Sequence, residues 1–98
     1  MTDSQLIVGI KQNDNRVWRF ICRTMKSGFA SIIGQSFPFS NFTQDDIDDI
    51  FQGSCIVLMQ KVKSGAMTVS REGALFSYLV QIGKLTACNL IRKKVLYQ

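Results

Sequence analysis

A chain of 98 residues that is 46% hydrophobic and carries a net charge of +5 can build one core but not two domains. It has no histidine, a single glutamate (Glu72) and no glycine-rich phosphate loop, so enzymatic activity, a cofactor and a metal centre are not expected. No apolar run reaches the roughly 18–20 residues of a membrane span, and the acidic Asp3 with the short 6–10 run does not make a secretory leader, so a cytoplasmic protein without membrane insertion is expected.

Apolar residues recur at helical spacing in four segments. The first covers residues 4–11, with Leu6, Ile7 and Ile10 on one face and Asp3 or Ser4 as its cap. Gln12-Asn13-Asp14 breaks the pattern, and Asp14 can cap a second segment over residues 15–34. There Val17, Trp18, Ile21, Cys22, Met25, Phe29, Ile32 and Ile33 step by three or four, and Gly28 is a candidate kink. GQSFPFSNF, residues 34–42, holds the only proline and reads as a loop whose phenylalanines fold back onto the core.

Thr43-Gln44-Asp45-Asp46 reads as a capping box with Asp in the place of Glu. The helix it opens carries Ile47, Ile50, Phe51, Ser54, Cys55, Leu58, Met59 and Val62 as one stripe, and Ser64-Gly65 ends it. A loop over 66–71 contains the β-prone Met67-Thr68-Val69. The last segment, 72 to about 95, is apolar around most of its circumference and should lie centrally. The expectation is a single all-α domain over 1–98, a compact bundle of three long helices plus a short N-terminal one. Cys22, Cys55 and Cys88 are far apart in apolar segments and read as reduced thiols packed as small hydrophobes.

Charge is segregated along the chain. Asp45, Asp46, Asp48 and Asp49 fall within five residues, while basic residues gather before residue 27 and after residue 60. The alternating ligands, turn glycine and distal glutamate of a calcium loop are missing from the cluster. Capping explains Asp45 and Asp46, whereas Asp48 and Asp49 read as acidic surface. Such a division suggests two partners of opposite sign, the basic end being a candidate for nucleic acid.

Three pieces in order strengthen that suggestion. Asp48-Asp49-Ile50-Phe51-Gln52 is similar to an E-D-x-x-Q signature, and Ser77-Tyr78-Leu79-Val80-Gln81-Ile82-Gly83-Lys84 to an A-W-L-x-x-I-A-R segment. Asn89-Leu90-Ile91-Arg92-Lys93-Lys94 is similar to a D/N-x-L-R-R-K end. With the opening LIVGIKQNDNRVWRFI, nearly the whole chain resembles conserved region 2 of bacterial RNA polymerase sigma factors of the sigma-70 family, the extracytoplasmic-function group in particular. The resemblance implies that Asp45, Asp48, Asp49 and Gln52 dock on the clamp helices of the polymerase β′ subunit, with Met59 as packing area. It also implies that the last helix helps melt the promoter −10 element and holds its non-template strand.

In that role Lys84, Arg92, Lys93 and Lys94 would neutralise phosphates, Tyr78 would offer a stacking plane and Asn89 hydrogen bonds. An anti-sigma factor is a further candidate partner. Gly53 departs from the family, standing where a second acid is usual, and so does Leu85, standing where an asparagine is common. The family's base-specificity loop and its −35-reading helix-turn-helix domain would lie beyond Gln98. A different reading stays open: a helical module whose acidic face binds a basic protein, with Tyr78 a core aromatic and Arg92-Lys93-Lys94 an ordinary positive helix end.

Overall fold

Among the described residues the chain forms four helices: α1 (Asp3–Lys11), α2 (Asn15–Ser36), α3 (Gln44–Lys63) and α4 (Ala74–Leu96). This computed structural model describes residues 1–68 and 71–96, so Val69 of the β-prone piece lies outside the described residues. Among those described there is no strand.

The start of α1 differs from expectation. Thr2, not Asp3 or Ser4, is the cap: the Gln5 amide donates to Thr2 Oγ1 at 3.2 Å and the Thr2 amide donates to Gln5 Oε1 at 2.8 Å. Asp3 is buried because it serves another helix. Its Oδ2 accepts the Leu75 amide of α4 at 3.0 Å, and its own amide donates to Glu72 Oε1 at 3.1 Å. Gly73, at φ +86°, stands just before α4 and has no side chain to cap it, so Asp3 supplies that acceptor from across the fold.

Asp14 caps α2 as expected, accepting the Arg16 amide at 2.9 Å. The chain turns into that cap through Asn13 at φ +57°. α2 then passes through Gly28 as continuous helix, because packing against its neighbours outweighs the roughly 1 kcal/mol cost of one glycine. The ring of Phe76 on α4 sits where that glycine leaves room, 3.3 Å from the position of an added Cβ.

In the α2–α3 loop only two phenylalanines fold inward. Phe37 and Phe42 meet edge-on at 6.2 Å and pack against the core, whereas Phe39 is 95% exposed. The capping box of α3 is present as read from the sequence: Asp46 N–H donates to Thr43 Oγ1 at 3.1 Å, and Thr43 N–H to Asp46 Oδ2 at 2.9 Å.

Phe29 of α2 and Phe51 of α3 cross edge-on at 5.1 Å in the middle of the core. α4 reaches that pair at Gly83, where an added Cβ would collide with the Phe29 ring. α4 is central only in part. Leu75, Leu79, Val80, Ile82 and Ala87 are buried, but Lys84, Leu85, Asn89 and Arg92 are exposed. Its mean hydropathy of 1.3 over one window makes α4 long and apolar enough to cross a membrane by length and composition, and 33% of that window is buried within the fold.

Candidate interaction faces on α3 and α4

α3 and α4 run antiparallel. Asp46 at the start of α3 meets Lys94 near the end of α4, and the Gly53 backbone faces Thr86 one to two turns further in. This register brings the acidic cluster beside the basic helix end, so the two are neighbours and not opposite poles of the molecule.

Several of these charges pair internally. Lys94 Nζ lies 2.7 Å from Asp46 Oδ2 and 5.5 Å from the centroid of the Phe42 ring. Lys26 of α2 reaches Asp48 Oδ1 at 3.0 Å, and the Gln44 side-chain Nε2 donates to the same oxygen at 3.0 Å. The hydrogen bond from Lys94, aided by the Thr43 amide, holds the Asp46 carboxyl below its usual range, and the hydrogen bond from Lys26 does the same for Asp48. Solvent screens pairs this exposed, so they add little to stability. Their main consequence is that Asp46, Asp48, Lys26 and Lys94 present little uncompensated charge outward.

What remains on α3 is one outer edge. Asp45, Asp49, Gln52, Ile56 and Gln60 are exposed and follow each other at spacings of three and four, so they share a face. Met59, half-buried, flanks that edge and packs against the core. Ile56 was not among the residues singled out by sequence, yet it is 54% exposed in the middle of the edge. Its signal was there: it is an apolar residue that falls off the helix's core stripe.

Gly53 is not on this edge. It is half-buried on the α4 side, where an added Cβ would meet Thr86 Cγ2 at 3.8 Å, an ordinary contact distance. Gly53→Ala is therefore expected to raise stability by about 0.5–1 kcal/mol through helix propensity, read as a higher urea midpoint, without altering the outer face.

On α4, Gln81, Lys84, Leu85, Asn89 and Arg92 form a second exposed stripe that carries no acid. Leu85, 70% exposed, is its apolar member. Tyr78 is half-buried and packs against the core, apart from the most open part of the stripe. Lys93 turns toward α3: with Thr86, Asn89 and Leu90 it lines a shallow groove whose other wall is Asp49 and Ile50. That groove joins residues that the sequence reading assigned to two different partners.

The cysteines divide. Cys55 is half-buried between α2 and α3, and burial, with Cys22 nearby, pushes its thiol up to about 12, so it is inert at neutral pH. Cys22 is exposed, contrary to its reading as a packed hydrophobe, and lines a groove with Trp18, Lys26, Gln52 and Ile56. Among the described residues no three cysteine, aspartate or glutamate side chains converge as metal ligands. Comparison with known proteins gives no match to a family model, a curated protein or a solved structure.

Proposed function

We propose that this chain is a sigma-factor region 2 domain: it docks on the β′ clamp helices of core RNA polymerase and holds the non-template strand of a promoter −10 element in the cytoplasm. The observation that carries the reading is the sorting of charge on α3 and α4. Internal pairs neutralise Asp46, Asp48 and Lys94, while Asp45, Asp49 and Gln52 on one edge and Lys84, Asn89, Arg92 and Lys93 beside it stay exposed. An acidic edge with Ile56 as apolar anchor suits an Arg-rich helical partner through charge-assisted contacts. An acid-free stripe suits a phosphate backbone, with affinity that falls as salt rises. Asp48 and Lys94 contribute less to this scheme than the resemblance alone implied, because each already has a partner within the fold.

The test is retention of core polymerase, or of an isolated β′ clamp-helix fragment, on the immobilised domain. Wild type should retain it, and Asp49→Arg should weaken retention by about tenfold or more. Equal retention by both proteins, or none by either, would overturn the proposal. Arg92→Ala combined with Lys93→Ala should leave this retention intact but reduce binding to single-stranded promoter DNA. That second result separates the sigma reading from a module that binds only a basic protein.

A further inference from the structure

We propose that Cys22 of α2 and Cys55 of α3 form a redox-active dithiol: a hydroperoxide oxidises the exposed Cys22, and Cys55 then closes a disulfide that ties the two helices. The inference does not depend on what the α3 edge binds. Both residues are free thiols, and both line one groove with Trp18, Lys26, Phe51 and Ile56. Cys88, on α4, is not part of that groove.

The register of α2 against α3 sets the two cysteines opposite each other. Next to the connecting loop, Ala30 and Gly34 share a groove with Gln44 and Ile47. Further along, Lys26 Nζ reaches Asp48 Oδ1 at 3.0 Å and lies 6.0 Å from the centroid of the Phe51 ring. Residue numbers fall on α2 as they rise on α3, so the helices are antiparallel. One turn beyond Lys26 is Cys22, and one turn beyond Phe51 is Cys55. Packed helices lie about 8–10 Å apart axis to axis, and each Cα sits about 2.3 Å off its axis. Facing positions therefore come within the roughly 4–7 Å between Cα atoms that a disulfide spans.

Exposure divides the roles. The Cys22 sulfur is open to solvent and attacks one peroxide oxygen. The O–O bond breaks, the thiol proton leaves with the departing hydroxide as water, and Cys22 becomes a sulfenic acid. The Cys55 sulfur then attacks the Cys22 sulfur. An S–S bond forms, the S–O bond breaks, and the hydroxyl takes the Cys55 proton to leave as a second water. Two thiols thus lose the two electrons that one peroxide gains. Burial, with Cys22 nearby, pushes the Cys55 thiol up to about 12, so it is ionised about a thousandfold less than an ordinary thiol and is slow toward reagents from solution. Its position outweighs that loss, because well-oriented neighbouring groups react at effective concentrations on the order of 10⁵ M or more.

The experiment treats the purified, reduced domain with a slight excess of hydrogen peroxide and maps its tryptic peptides by mass spectrometry without reductant. The monomer should lose two hydrogens, the Cys22 and Cys55 peptides should appear linked, and Cys88 should remain free. Cys88→Ser should link as wild type does. Dimedone, which traps sulfenic acids, should label Cys22 in Cys55→Ser about tenfold more than in wild type, where Cys55 consumes the intermediate. In denaturing urea the Cys22–Cys55 link should lose its preference over links to Cys88, because only the fold sets the pair together. Wild type that accumulates oxidised Cys22 without a link, or that links through Cys88 or between chains, would overturn the proposal. Equal dimedone labelling in wild type and Cys55→Ser, or the same link pattern in urea, would do so as well.

Discussion

Gly83→Ala is expected to cost about 3 kcal/mol of folding stability, although alanine is the better helix former by about 1 kcal/mol. A Cβ at Gly83 would lie 2.4 Å from two carbons of the Phe29 ring and 3.2 Å from Ile33 Cδ1. Phe29 and Ile33 are fully buried, and Phe29 is set edge-on against Phe51 at 5.1 Å, so the ring has no space into which to swing. α2 and α4 would have to separate, opening gaps among the buried side chains between them. In a domain whose total stability is on the order of 5–15 kcal/mol, that loss is a large share. Urea unfolding of wild type, Gly83→Ala and Gly53→Ala gives a sharp comparison. The same substitution in the interior of two helices should lower the midpoint at Gly83 and raise it at Gly53. Shifts of the same sign would mean that the close approach of α4 to Phe29 is wrong.

Asp3→Ala is the second large effect, at about 2 kcal/mol. The substitution removes the acceptor of the Leu75 amide and leaves that donor buried at the start of α4 without a partner. It does not touch the reverse contact, because the donor to Glu72 is the backbone amide of Asp3. Asp3→Asn keeps an acceptor oxygen in place and should retain most of the stability. Hydrogen exchange locates the loss: the Leu75 amide should lose protection in Asp3→Ala and keep much of it in Asp3→Asn. If both variants were as stable as wild type, the link between α1 and α4 would have no energetic weight.

These two residues also mark where sequence reading succeeds and where it stops. The Thr43–Asp46 capping box and the Asp14 cap were legible because donor and acceptor lie within three residues of each other. Asp3 looked like the same kind of residue, a polar side chain at a helix start, yet its partner is 72 positions away. Nothing local distinguishes the two cases. Phenylalanine composition alone places Phe39 in the core, and only the turn from Phe37 to Ser40 directs it outward. Of the candidate site, Asp49, Gln52, Lys84, Asn89, Arg92 and Lys93 are exposed as a binding role requires. Asp48 and Lys94 are tied to Lys26 and Asp46, and Ile56 joins the α3 edge that the aspartates and Gln52 define.

By itself, the sequence determined the helices, the caps of α2 and α3 and which face of α1, α2 and α3 is apolar. Those properties depend on interactions between residues no more than four apart, and the order of amino acids states them directly. The tertiary structure decided which charges are left facing outward, where two helices touch closely enough to require Gly83, and that Asp3 caps α4. These outcomes depend on how α2, α3 and α4 are set against one another. An apolar stripe says only that a helix has a buried side; the packing of specific side chains such as Phe29 against Gly83 selects the partner and the register.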